Sequence, residues 1–243
     1  MSNILILGAT SDVSVATAHH LAKAGHNLIL AGRNQKALAS MEEDLKIRYG
    51  SEVSIEKFDA LNYSSHQPFY AKLKWRPDIV ICVFGHLGDH EKALTDWDEC
   101  EKILDSNFKG AVSILNIVAS DFESRKQGMI VGISSVAGDR GKFSNYLYGS
   151  AKAAFSAYLS GLRNRLYHFG CHVATVKPGF IDTKMTSAIK LPKPLTAKPD
   201  QVAKQIVNVI SKKRNTIYTL RRWRYIMFII RLIPESIFKR LKL

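Results

Sequence analysis

Seven short apolar runs alternate with longer segments of helical period, and few architectures accept that pattern. The runs are 3–7, 27–31, 53–57, 78–84, 129–133, 172–177 and 216–220. Helical-period segments lie between them at 13–24, 34–49, 63–74, 96–122, 146–168 and 199–212. Such alternation predicts parallel strands joined by helical crossovers that cover both faces of the sheet. Runs such as Ile79-Val80-Ile81-Cys82-Val83 are apolar throughout, as strands buried on both faces must be. The expected fold is therefore α/β, a Rossmann-type doubly wound parallel sheet in a single domain. Residues 1–213 are expected to make up this domain, and residues 214–243 to hold the last strand and a basic amphipathic helical tail.

A chain of 243 residues suits one such domain and buries a sizeable core. Cys82, Cys100 and Cys171 are too few and too scattered for a disulfide framework or a metal site, which points to a reducing compartment and no bound metal. The N-terminus enters the apolar run Asn3 to Leu7 directly, so no signal peptide is expected. Nor does any stretch approach the ~18 apolar residues of a transmembrane helix. The net charge of +14 is unevenly placed. From Lys212 to Leu243 there are ten basic residues against one acid, Glu235, so this segment supplies +9. The remaining 211 residues carry +5, ordinary for an enzyme.

Tyr148 and Lys152 stand four residues apart, one turn of helix, with Ser135 thirteen residues upstream of the tyrosine. A phenol titrates near pH ~10, and an ammonium beside it favours the phenolate. The tyrosine then becomes a usable general acid or base near neutral pH. On a surface helix the same spacing is an ordinary solvated pair.

The first strand runs into Gly8-Ala9-Thr10-Ser11-Asp12-Val13-Ser14 and a helix. Free amides and the helix dipole at such a turn favour an anion such as a pyrophosphate. Gly8 permits the tight turn, and Thr10 and Ser11 offer hydroxyls. Asp12 and Ser14 stand where a glycine-rich phosphate turn has glycines, and the Asp12 carboxylate is expected to repel a phosphate. The residues alone leave a nucleotide turn and an ordinary capped helix both open. Strand two ends at Gly32-Arg33 with no acid to bind a ribose 2′-hydroxyl. Arg33 suits a 2′-phosphate, which favours NADP(H) over NAD(H), or it is a solvated arginine. Asp59 meets an adenine amino group or caps the next turn.

Together these residues resemble the short-chain dehydrogenase/reductase family over residues 1 to about 220. The resemblance rests on Gly8, Asp59, Asn107 in Ser106-Asn107-Phe108-Lys109-Gly110, Ile133-Ser134-Ser135, Tyr148-x-x-x-Lys152 and Pro178-Gly179-x-x-x-Thr183. It implies a catalytic set of Asn107, Ser135, Tyr148 and Lys152. It also implies cofactor contacts from Gly8, Thr10, Ser11, Asp12, Val13, Arg33, Asp59, Ala60, Gly85, Pro178, Gly179, Ile181 and Thr183. Tyr148 would protonate an alkoxide, Ser135 would hydrogen-bond the carbonyl oxygen, Lys152 would lower the tyrosine pKa and bind ribose, and Asn107 would hold a water leading from Lys152 to solvent. The family's Asn-Asn-Ala-Gly segment is replaced by Phe84-Gly85-His86-Leu87-Gly88-Asp89. That segment, with Ser144-Asn145 and the tail from Arg224 to Phe238, resembles a subgroup of reductases acting on a polyprenyl-phosphate-linked 2-keto pentose. The implied reaction is NAD(P)H-dependent reduction of a lipid-linked ketosugar. The same chemistry on a 3-keto lipid or small ketone, and a non-catalytic cofactor-binding scaffold or redox sensor, are the alternatives.

His86 and His90 follow strand four where substrate would enter, and Arg140 and Lys142 precede the tyrosine helix. Each is a substrate contact or a solvated loop residue; for the two basic residues the contact would be a substrate phosphate. In the tail, Arg221-Arg222-Trp223-Arg224-Tyr225 and the apolar run to Pro234 mix charge, aromatics and aliphatics. Pro234 is expected to end a helix there, with a second one starting near Ser236. Three partners compete for this segment: an anionic membrane surface, a neighbouring subunit, or nucleic acid, for which no recognition motif accompanies the charge. A cytoplasmic protein is expected, and the first partner would hold it peripherally on the inner membrane face. The family resemblance implies a homodimer or homotetramer paired through the helices carrying Asn107 and Tyr148.

Overall fold

A computed structural model of the chain describes residues 1–187 and 190–242, so Leu243 at the end of the tail lies outside the described residues. Its elements run in the order β1 (Asn3–Leu7), α1 (Asp12–Lys23), β2 (Asn27–Gly32), α2 (Gln35–Tyr49), β3 (Val53–Lys57), α3 (His66–Ala71) and β4 (Ile79–Cys82). There follow α4 (His90–Ala93), α5 (Trp97–Leu104), α6 (Gly110–Arg125), β5 (Met129–Ile133), α7 (Tyr146–Tyr167), β6 (His172–Lys177) and the two-residue strands β7 (Phe180–Ile181) and β8 (Thr196–Ala197). The chain closes with α8 (Pro199–Lys212), β9 (Thr216–Tyr218), α9 (Arg222–Leu232) and α10 (Glu235–Phe238). Seven strands form one parallel sheet in the order β3-β2-β1-β4-β5-β6-β9.

The side-chain period of two explains why both faces need a cover. Ile4 and Ile6 of β1 belong to one apolar cluster with Leu21, Leu38 and Ile206, while Leu5 and Leu7 belong to another with Ile114, Phe122 and Phe155. Helices α1, α2 and α8 therefore close one face, and α3, α6 and α7 close the other. Local signals set their ends. Ser11 and Asn34 cap α1 and α2 by accepting from the amides of Ser14 and Ala37, and α2 stops at Gly50, whose φ of +63° is left-handed.

Two helical expectations change in detail. The segment 96–122 is not one helix: α5 and α6 are joined by a π-helical turn, Asp105–Lys109, that carries Asn107. Within it the Asn107 amide donates to the Ile103 carbonyl at 2.8 Å. The segment 63–74 is a 3₁₀ turn, Tyr63–Ser65, followed by the short α3, which ends before Pro77. Strand β9 hydrogen-bonds to β6 inside the sheet, and α9 buries Trp223 and Met227 against Val136, with Phe180, Leu195 and Tyr218 around them. Among the described residues no helix is long and apolar enough to cross a membrane.

Candidate active site

The turn after β1 is built by side chains where glycine is absent. Gly8 has φ +84°, and a methyl group there would come within 2.8 Å of the Phe84 backbone, so only glycine fits. Ser14 is fully buried, and its hydroxyl donates to the Gly8 carbonyl at 2.9 Å and lies 2.8 Å from the Ser11 hydroxyl. It braces the turn from inside. Asp12 does not point its charge at the expected phosphate position: its carboxylate accepts from the Lys184 amide at 2.8 Å, beyond β6. One of its oxygens is thus engaged by a residue 172 positions away. Among the described residues, the amides of Thr10, Asp12 and Val13 donate to no other group. Three free donors at a helix N-terminus fit a pyrophosphate.

At the end of β2, Gly32 pairs with Lys57 of β3, and Arg33 is exposed without an ion pair among the described residues. No carboxylate ends β2. One oxygen of Asp59 accepts from the Leu61 amide at 3.1 Å, the turn cap foreseen as one of its two roles. Ala60 packs against the start of α6, where a side chain on Gly110 would overlap the Ala60 carbonyl.

Asn107, Ser135, Tyr148 and Lys152 converge at the C-terminal ends of β4 and β5. Lys152 is buried, donates to the Ile133 carbonyl at 3.2 Å, and lies 5.7 Å from the centre of the Tyr148 ring. Ser135 opens a 3₁₀ turn, Val136–Asp139; its hydroxyl accepts from the Ala137 amide at 3.1 Å. Asn107 grips the segment that replaces the family's usual loop, donating to the His86 carbonyl at 2.6 Å and accepting from the His86 amide at 3.3 Å. Gly85 lies between these groups. A methyl there would meet the Asn107 oxygen at 2.6 Å and the Lys152 nitrogen at 3.3 Å.

Burial governs both titrating groups, which differs from the expected pairing. The half-buried phenol of Tyr148 is pushed up to about 12 by desolvation, against a smaller downward pull from Ser135. Lys152 is pushed down to about 8 by its own burial. The ammonium sits over the ring and on a backbone carbonyl, so its expected action on the phenol does not set the Tyr148 pKa here.

The opposite wall comes from the segment after β6. The Pro178 carbonyl accepts from the Val136 amide at 2.9 Å, and Ile181 pairs with Ala197 in the β7–β8 ladder. The Thr183 amide donates to the Thr186 hydroxyl at 3.2 Å. A side chain on Gly179 would overlap the indole of Trp223, whose N–H donates to the Leu195 carbonyl at 3.0 Å. Sequence reasoning missed this tail contact, although the spacing of Trp223, Met227 and Ile230 on one helical face signals it.

Four loop residues receive defined places. Arg140 is neither solvated nor turned to substrate. It donates to the carbonyls of Ile230 and Ile233, each at 2.6 Å, pairs with Glu235 and stacks on Phe238. Free carbonyls at the end of α9 attract a guanidinium. Lys142 is half-buried, which lowers its pKa. His86 lies 3.0 Å from the Glu99 carboxylate, which also accepts from the Asp89 amide, and the His90 ring meets Tyr146 edge-on. Asp139, another residue that the sequence did not single out, is buried in an ion pair with Lys177 and accepts from the Tyr218 hydroxyl at 2.7 Å. It ties the Ser135 turn to β6 and β9. No metal-binding cluster occurs among the described residues.

Comparison with known proteins agrees with this arrangement. The short chain dehydrogenase family model matches residues 2–193. An uncharacterized oxidoreductase of Mycobacterium tuberculosis is 30% identical over 241 residues, covering 98% of this chain and 96% of the relative. One from Streptomyces coelicolor is 32% identical over 244 residues, covering 98% and 95%. Among solved structures, a short-chain dehydrogenase from Sphingobium yanoikuyae in complex with NADPH superposes with a TM-score of 0.81 at 20% identity, covering 97% of this chain and 98% of that one. An actinorhodin polyketide ketoreductase with NADPH gives 0.79 at 19%, covering 89% and 95%. The chain belongs to the short-chain dehydrogenase family, and it is an oxidoreductase acting on CH–OH groups.

Proposed function

We propose that this protein is an NADP(H)-dependent ketoreductase whose substrate is a polyprenyl-phosphate-linked ketosugar or a closely similar lipid-linked ketone. The observation that carries the reading is the joint placement of Ser135, Tyr148, Lys152 and Asn107 at the strand ends, beside a turn with three free amides. Thr10, Asp12 and Val13 would hold a pyrophosphate through their amides, and Arg33 at the end of β2 would meet a 2′-phosphate. The bound dinucleotide supplies or accepts the hydride.

The remaining chemistry belongs to side chains of this chain. The Ser135 hydroxyl donates to the ketone oxygen and stabilises the charge that grows there. Tyr148, a phenol that stays protonated at neutral pH and whose pKa burial raises further, gives that oxygen its proton. General acid catalysis of this kind contributes about 10²–10⁴-fold. Lys152, with a pKa of about 8, exchanges protons near neutrality and replenishes the phenol. Asn107 and Lys152 both border the space beside Gly85, where a water can link them to solvent. The lipid-linked substrate rests on the subgroup resemblance of the Phe84–Asp89 segment and of the tail.

The test is cofactor oxidation with a polyprenyl-phosphate-linked 2-keto pentose in detergent, measured against soluble ketones, with NADPH and NADH. The lipid-linked substrate should give the higher kcat/KM. Arg33→Ala should raise the KM for NADPH about tenfold, the weight of one charge-assisted contact, and leave that for NADH unchanged. Equal kcat/KM on all ketones overturns the substrate, and equal response of both cofactors overturns the NADP(H) preference.

A further inference from the structure

Helix α9 is apolar on two opposite faces, and only one is covered. Trp223 and Met227 are buried, with Ile226 and Ile230 packed beside them. Tyr225, Phe228, Ile229 and Leu232 fall on the other side at helical spacing and are 62–64% exposed. Ile237 and Leu241 extend the exposed apolar surface beyond Pro234. An exposed apolar stripe of this size marks a contact surface.

The charge around this face is one-signed. Beside it lies a cleft of about 710 Å³ between α8, β9 and α9, lined by Arg214, Arg221, Arg224, Tyr218 and Tyr225. Lys239, Arg240 and Lys242 follow in the chain. The single acid of the segment, Glu235, is occupied by Arg140. Among the described residues no carboxylate pairs with any of these arginines or lysines.

We propose that the outer face of α9, with its arginine-lined cleft, docks on an anionic lipid bilayer. The four apolar side chains enter the acyl boundary while the arginines meet phosphate headgroups, as in helices that lie in the membrane interface. A second copy of this chain fits less well, because a two-fold contact would set the same basic cleft and tail against themselves. A nucleic acid would leave the central apolar stripe without a partner. The opposite side of the same helix carries Trp223 onto Gly179. Docking therefore holds the wall of the active site about one helix diameter, ~10 Å, from the lipid. This docking stands independently of the reduction proposed above.

The test is flotation of the full-length protein with vesicles containing phosphatidylglycerol, against vesicles of phosphatidylcholine alone. Wild type should bind the first, more weakly as salt rises. The double variant Phe228→Glu, Ile229→Glu changes only exposed positions and should bind at least about tenfold more weakly, with unchanged circular dichroism and melting temperature. Arg221→Gln with Arg224→Gln should abolish the preference for the anionic lipid. Failure of wild type to bind overturns the proposal, as does equal partition of wild type and the Phe228/Ile229 variant. Loss of a dimer in the double variant, without any vesicle binding by wild type, assigns the stripe to a second copy instead.

Discussion

The phosphate turn and the catalytic rim sit at the same edge of the sheet and are stabilised over different ranges of the chain. In the turn, the side-chain contacts apart from that of Asp12 are local, Ser14 to Gly8 and Ser11 to Ser14, all within seven residues, while the amides of Gly8 and Ala9 donate to Ala31 of the next strand. The rim is held from far away. Arg140 reaches Ile230 across 90 positions, Tyr218 reaches Asp139 across 79, and Trp223 covers Gly179. Lost glycines in a short turn can be replaced by two hydroxyls nearby. A wall of the active site cannot be completed locally, so this chain builds one from α9. Asp12 is the exception that joins the two regions, through the Lys184 amide.

The largest expected effect separates the regions cleanly. Tyr148→Phe should lower kcat by about 10²–10⁴-fold while NADPH affinity, read by fluorescence titration, stays within a factor of about two. Loss of cofactor binding in this variant would mean that turn and rim are not separable.

The second effect concerns charge in the rim. Lys152 has a pKa of about 8 when folded and an ordinary value of 10.5 when exposed. Below pH 8 both states carry the proton, and folding bears the full cost of burying it. Between the two values the unfolded chain binds more protons, so stability rises with pH. The gap between the two pKa values corresponds to about 3 kcal/mol in total. Lys152→Met should abolish the rise, as measured by urea unfolding at several pH values from 7 to 10. The same slope in both proteins would remove the lysine from the rim's energetics.

The third effect is mechanical. Gly179→Ala forces a methyl against the Trp223 indole. Overpacking of this kind costs about 1–3 kcal/mol, or a fall in Tm of several degrees for a chain of this size. NADPH affinity should fall by less than stability does, because the Gly8 turn lies apart from this contact. If affinity falls as much as stability does, the tail supports the turn as well as the rim.

Much of this was readable from residues alone. The ranges of β1, β3, β5 and β6 follow directly from apolar runs bounded by turn residues, because strands buried on both faces leave no other signal in the sequence. The four candidate catalytic positions came from spacing and family pattern, and the fold brings them together. What the sequence hid was long-range. Nothing near Asp12 says that its charge is spent on Lys184, and nothing near Arg140 says that it caps a helix ninety residues later. The π turn at Asn107 was invisible because helical period continues through it, while the extra residue is accommodated by a side-chain hydrogen bond. The pKa values of Tyr148 and Lys152 depend on burial, which no spacing reports.

The Arg140 contact with the end of α9 also sets an order of events in time. A ribosome adding about 5–20 residues per second needs roughly five to eighteen seconds to make the 90 residues that separate Arg140 from Ile230. During that interval β1, β2 and the turn between them are already complete. The newborn chain therefore holds the residues of its cofactor turn before it holds those of this wall.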